Sequence, residues 1–225
     1  MSTSDLAPQA IQRNEPLREA VYARIVDSIL SGHYAPGASI TEAALSRALQ
    51  VSRTPIREAL LRLESEGVLS SALARGFTVR SLDRREVTEL YPILGALEGL
   101  AIRTAHAPNA ATMDTLHRTL DELEACDDAV RRWRLDTVWH GALVAASGNQ
   151  HLLSLTTQLR VNLSRYELAY MRETRSRATA DQQHRETLAA VVARDFPRAA
   201  NVVEEHWRQG MELVLAWLDH KPAQA

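Results

Sequence analysis

A chain of 225 residues with 45% hydrophobic and 24% charged side chains has the composition of a globular protein with one large or two small cores. Its longest apolar runs fall short of the roughly 18–20 residues that span a membrane, and its N-terminus carries no apolar signal core. A formal net charge of −2 argues against a bulk nucleic-acid coat, and the single cysteine, Cys126, excludes an internal disulfide and a thiolate-rich zinc site and fits the cytoplasm.

Residues 1–15 are polar and aperiodic and read as a flexible arm. Leu17, Val21, Ile25 and Ile29 then recur every four residues, one stripe of an amphipathic helix. The stretch "SGHYAPGASI" breaks it with Gly32, Pro36 and Gly37. A short helix follows, with Thr41 as its N-cap and Leu45 and Leu49 inward. The third helix, in "SRTPIREALLRLESEG", buries Ile56, Leu60 and Leu63 and ends at Gly67. "VLSSALARGFTVRSL" reads as two short strands around a tight connection at residues 74–76. Three helices and a hairpin in 16–82 are the grammar of a winged helix-turn-helix.

From Asp83 on, strand signals stop. Segments 84–106, 111–126, 128–147, 150–175, 180–194 and 197–219 are helical, giving an all-α second domain over 83–220 and a short tail at 221–225. The fold class expected is therefore mainly α, a winged helix-turn-helix joined to a bundle of six to seven helices.

In the third helix Arg53, Thr54 and Arg57 lie off the core stripe, toward the helix start. A helix N-terminus suits DNA because its free N–H groups and positive dipole end favour phosphate. An arginine there also reaches the O6/N7 edge of guanine in the major groove. Pro55 fits a first helical turn, where its missing N–H costs nothing. The segment from Pro36 to Val79 closely resembles the winged-helix domain of the GntR family of bacterial transcription regulators. That resemblance implies operator contacts by Ser52, Arg53, Thr54, Pro55 and Arg57, with Arg75 and Gly76 at the wing tip. One departure is Ala43, where the family often carries a DNA-contacting arginine; Arg47 is the nearest substitute.

In the second domain "DTVWH" sets Asp136 and His140 four apart, on one helical face among Trp139, Leu143 and Val144. Taken alone, this pair reads as a core hydrogen bond, a metal half-site or an acid/base pair. His184 and His206 each stand 11 residues from Asp195, in the turn "RDFPRA". At ~1.5 Å per residue both sit about 16 Å from that turn, so an antiparallel hairpin brings them level. One carboxylate and three imidazoles suit a borderline divalent ion, Zn²⁺ foremost, then Ni²⁺ or Mn²⁺. The layout also resembles the all-α effector domain of the FadR subgroup, the FCD type, whose metal-binding members use the positions of Asp136, His140, His184 and His206.

The same resemblance implies a small organic effector, a carboxylate metabolite, and a homodimer. Here Leu94 stands where such members place an arginine for the effector's carboxylate, so either the effector is less acidic or another arginine, Arg160 or Arg165, does that task, with Asn162 and Trp139 as further effector-site candidates. Arg165 with Tyr166 reads more simply as an exposed face of a long helix. The function expected is a ligand-responsive repressor reading a pseudo-palindromic operator as a dimer. The alternative is a metal-dependent enzyme using the Asp/His₃ site, against which stands the lack of a H-E-x-x-H motif and of a placed general base.

Overall fold

The computed structural model describes residues 15–72, 76–173 and 177–220, so the expectations for the N-terminal arm, for Arg75 and for the tail fall outside it. Helix α1 (Glu15–Leu30) buries Val21, Ile25 and Ile29 against α3 (Arg53–Ser65), while Leu17, the first residue of the sequence stripe, is exposed. Between them lies α2 (Glu42–Leu49), whose N-cap Thr41 accepts from the Ala44 N–H at 3.3 Å. Gly67 follows α3 with φ +79, the left-handed conformation that ends a helix cheaply only with glycine.

The wing has three strands rather than two. Ser39–Ile40 (β1) pairs antiparallel with Gly76–Val79 (β3), which also pairs with Leu69–Ala72 (β2), in the order β1-β3-β2. Two residues are too few for an alternation signal, which is why β1 is hidden in "PGASI". Gly76 has φ +80, and a Cβ there would lie 3.0 Å from the Ile40 carbonyl oxygen. Its glycine is required by the β1–β3 approach itself.

The remaining helices are α4 (Arg84–Thr104), α5 (Ala110–Glu124), α6 (Ala129–Ala145), α7 (Gln150–Glu173), α8 (Ala178–Val192) and α9 (Phe196–Asp219). They surround a core that includes Tyr91, Leu94, Trp139, Leu163, Tyr166 and Trp207. Helices α4 and α9 pack closely because Gly95 and Gly99 offer no side chain: a Cβ at Gly95 would meet Trp207 Cβ at 3.2 Å.

Helix α7 joins the two halves. Its residues 162–168 are all buried, too many for one amphipathic face. Asn162 Nδ2 donates to the Glu66 carbonyl at the end of α3, at 3.1 Å. Arg165 donates to the Arg80 carbonyl at 2.9 Å and to Glu86 at 2.7 Å, and the Tyr166 hydroxyl also donates to Glu86. The expectation of an exposed Arg165–Tyr166 face is thus corrected: both side chains are buried, Arg165 in an ion pair that fastens the interdomain linker. A buried guanidinium needs such partners, and the linker carbonyls and Glu86 supply them.

Candidate metal centre and DNA-reading helix

Asp136 and His140 come from one face of α6, His184 from α8 and His206 from α9. The α8–α9 reversal is tight: Arg194 adopts φ +58 and Asp195 caps α9 by accepting from the Arg198 N–H. It brings the His184 and His206 rings to 4.8 Å between centroids, and each lies 5.3 Å from the His140 ring. One ligand atom from each of the four residues falls within 4.8 Å of the others.

The surrounding hydrogen bonds decide which atoms face inward. His140 Nδ1 lies 2.7 Å from the Glu98 carboxylate, which can only accept, so Nδ1 carries the proton and Nε2 presents a lone pair. His206 Nδ1 is likewise 3.0 Å from the Gln183 side-chain oxygen. Arg160 donates to Asp136 Oδ2, leaving Oδ1 toward the imidazoles, 3.1 Å from His184 Nε2. His140 Nε2 and His184 Nε2 are only 3.2 Å apart. With neutral imidazoles, one proton at most serves two ring nitrogens and a carboxylate oxygen, whereas a divalent cation satisfies all three. The donor set therefore fits a metal, and the Glu98–His140 pair is the kind of outer contact that would fix the tautomer of a histidine ligand.

Electrostatics agree. Burial would push the Asp136 carboxyl up, but the Arg160 guanidinium, with the neighbouring His140 and the hydrogen bond from His184, outweighs it and holds the group well below the usual carboxylate range. Burial pushes the imidazoles of His184 and His206 down; for His206 the neighbouring His184 and His140 add to the effect. Neutral imidazoles and an ionised carboxylate are the ligand forms a metal takes.

A cavity of about 110 Å³ opens beside this cluster, lined by Asp136, His184, His206, Tyr91, Trp207 and Glu167 among others. Of the residues expected at an effector site, Arg160 sits behind Asp136 and Trp139 is wholly buried beside the His140 and His184 rings, so neither lines the cavity. Arg165 and Asn162 do not line it either, being spent on the interdomain junction. Sequence reasoning missed Glu98, buried 42 residues before its partner His140, and Glu167 and Arg132, which line the cavity. Arg132 carried a signal: it stands four residues before Asp136, on the same helical face.

At the other end of the molecule, Ser52, Arg53, Thr54 and Arg57 are exposed at the start of α3. Ser52, the N-cap, makes no side-chain capping bond. Pro55 departs from the expected reading set: its ring is buried with Ile56 in the core.

The family model for bacterial regulatory proteins of the gntR family matches residues 17–79, and the FCD domain model matches residues 89–209. The chain belongs to the GntR family, with an FCD domain. The Nta operon transcriptional regulator of Aminobacter aminovorans is 31% identical over 83% of this chain and 89% of that protein. The HTH-type transcriptional repressor GlaR of Escherichia coli is 26% identical over 82% of this chain and 90% of its own length. Among solved structures, E. coli McbR/YncC superposes with a TM-score of 0.81 at 25% identity, covering 90% of this chain and 98% of that one. This GntR–FCD chain is a transcriptional regulator with a DNA-binding winged helix, and the enzyme alternative finds no support among its relatives. Among the described residues no helix is long and apolar enough to cross a membrane.

Proposed function

We propose that this GntR–FCD regulator is a metal-containing, effector-responsive repressor that binds a pseudo-palindromic operator as a homodimer. The observation that carries the reading is the convergence of Asp136, His140, His184 and His206 in a domain fastened to a winged helix through α7. These four residues would hold a divalent ion, Zn²⁺ by their nitrogen-rich set, and the ion would supply a Lewis-acid anchor for an effector oxygen.

The chain's own residues do the rest. Glu98 orients His140, Gln183 orients His206, and Arg160 orients Asp136. Ser52, Arg53, Thr54 and Arg57 face the major groove, two copies reading two half-sites about one helical turn apart. A ligand in the cavity pushes on α7 beside Glu167, and α7 carries the displacement to Asn162 and Arg165 at the junction. The sensing and reading ends are thus two sites sharing one rigid element, with an expected coupling of about 1–3 kcal/mol.

Fluorescence anisotropy on the DNA upstream of the protein's own coding region tests the reading. Sequence-specific, salt-sensitive binding that exceeds binding to scrambled DNA supports it. Equal affinity for both DNAs at every salt concentration, with and without zinc, overturns it.

A further inference from the structure

The chemistry of the cavity goes further than the family reading, because the charges around it exclude much of what a metal could attract. Three buried carboxyl groups, Glu98, Asp136 and Glu167, lie around one guanidinium, Arg160, so acidic groups outnumber basic ones by two, an excess of two negative charges when all three are ionised. A divalent ion on the four ligands cancels that excess. A ligand with two carboxylates would restore it beside buried groups, where unpaired charge is strongly penalised.

Among the described residues, each arginine that lines the cavity already has acceptors of this chain as partners. Arg132 and Arg177 both line the cavity, and both terminal nitrogens of each are engaged. Arg132 donates to the Leu123 carbonyl and Asp181, and Arg177 to Asp127 and the Cys126 carbonyl. Leu94 lies in the core. Glu167 adds an acceptor to the cavity lining. Glu167 takes the Trp133 indole N–H on Oε2 at 2.7 Å, and its other oxygen has no hydrogen-bond partner among the described residues. Among the described residues no arginine or histidine lies within ion-pair distance of Glu167, and burial pushes its carboxyl up, with the charge of Arg160 only partly opposing it, so a cation placed beside it would stabilise its ionised form.

Size and walls narrow the ligand's body. At roughly 10–15 Å³ per water-sized group, the cavity holds about seven to eleven such groups. Much of the rest of the lining is apolar, from Trp207, Met171, Leu213, Val214 and the ring of Tyr91, with Tyr170 and Thr179 also part of it. We propose that the effector is a small aminocarboxylate zwitterion, its carboxylate directed to the metal and its ammonium group received by Glu167, on a short apolar body. Such a ligand enters with no net charge, fills the free acceptor and leaves the paired arginines undisturbed.

The proposal rests on the metal reading above, and its test separates the two. The untagged full-length chain is assayed first for zinc content, then titrated calorimetrically with L-leucine, L-methionine and 4-aminobutanoate. The comparison probes are the 2-hydroxy and deaminated analogues of leucine and the dicarboxylate glutarate, and Glu167→Gln is run in parallel. At least one aminocarboxylate should bind about tenfold or more tightly than every comparison probe, and Glu167→Gln should lose about tenfold of that affinity while keeping its zinc. A hydroxy acid or glutarate binding as tightly, a Glu167→Gln chain with unchanged affinity, or a zinc-loaded chain that binds none of the three aminocarboxylates overturns the zwitterion. A chain that takes up no zinc overturns the metal reading instead, and does so before any ligand is added.

Discussion

His140 Nδ1 and the Glu98 carboxylate lie 2.7 Å apart, both side chains almost wholly buried, on helices 42 residues apart in sequence. The pair does for the centre what no ligand does alone: it puts the proton on Nδ1 and aims Nε2 at Asp136 and His184. The same carboxylate accepts the Trp207 indole N–H at 2.8 Å, so one residue of α4 ties α6 to α9 around the site.

Replacing Glu98 by Gln removes the acceptor's charge while keeping its shape. Zinc affinity should fall about 10–100-fold, as for loss of other outer-sphere partners. Competition with a chelating dye measures it. Unchanged affinity would mean that the His140 tautomer is set without Glu98.

Arg160→Leu leaves Asp136 and Glu98 buried without their guanidinium. The metal-free chain should lose about 3–5 kcal/mol of stability, the range for breaking a buried ion pair from one side. Urea denaturation reads this directly, and added zinc should restore part of it. A loss below ~1 kcal/mol would show the two carboxylates to be neutralised by other means.

Metal-free protein should become less stable as pH falls below about 6.5. Burial lowers His184 and His206 in the fold, so the unfolded chain takes up protons first, and stability present above the unfolded value is lost on acidification. Melting temperatures of chelator-treated protein at pH 7.5 and 5.5 provide the comparison. A flat or rising trend toward pH 5.5 would contradict the depressed values.

Much of this was legible in the chain, for identifiable reasons. The four candidate ligands show because apolar residues at helical spacing fix which face each occupies, and because equal distances from Asp195 fix the register of two of them. The cap at Thr41 shows because capping is local chemistry. What stayed hidden depends on partners far apart in sequence. Glu98 looks like any helical glutamate until α4 is laid against α6. Arg165 and Tyr166 look solvent-facing because their burial comes from the linker and Glu86, about 80 residues away. The β1 strand is two residues long and exists only because β3 offers it an edge.

The junction gives a prediction that separates sensing from reading. Asn162→Ala removes the bond to the Glu66 carbonyl and the support for Arg165. Stability should drop by about 1 kcal/mol, and operator affinity without ligand should change little. The effector's influence on operator affinity should shrink toward nothing. Anisotropy titrations with and without a ligand that binds the chain would show it, and an undiminished coupling would place transmission elsewhere.

At the reading end, Arg53→Ala and Arg57→Ala remove exposed side chains from the start of α3. Each should cost about 1–3 kcal/mol of operator affinity with little change in melting temperature. A variant that binds operator as wild type would remove that arginine from the reading set.

The most direct measurement is metal analysis by mass spectrometry of untagged protein, beside His184→Ala and His206→Ala. One zinc or comparable divalent ion per chain in the wild type, lost from both variants, is the result expected from four ligand atoms within 4.8 Å. A wild-type chain that holds no ion, takes none up at saturating zinc and melts at the same temperature with or without it would contradict a metal centre at Asp136, His140, His184 and His206.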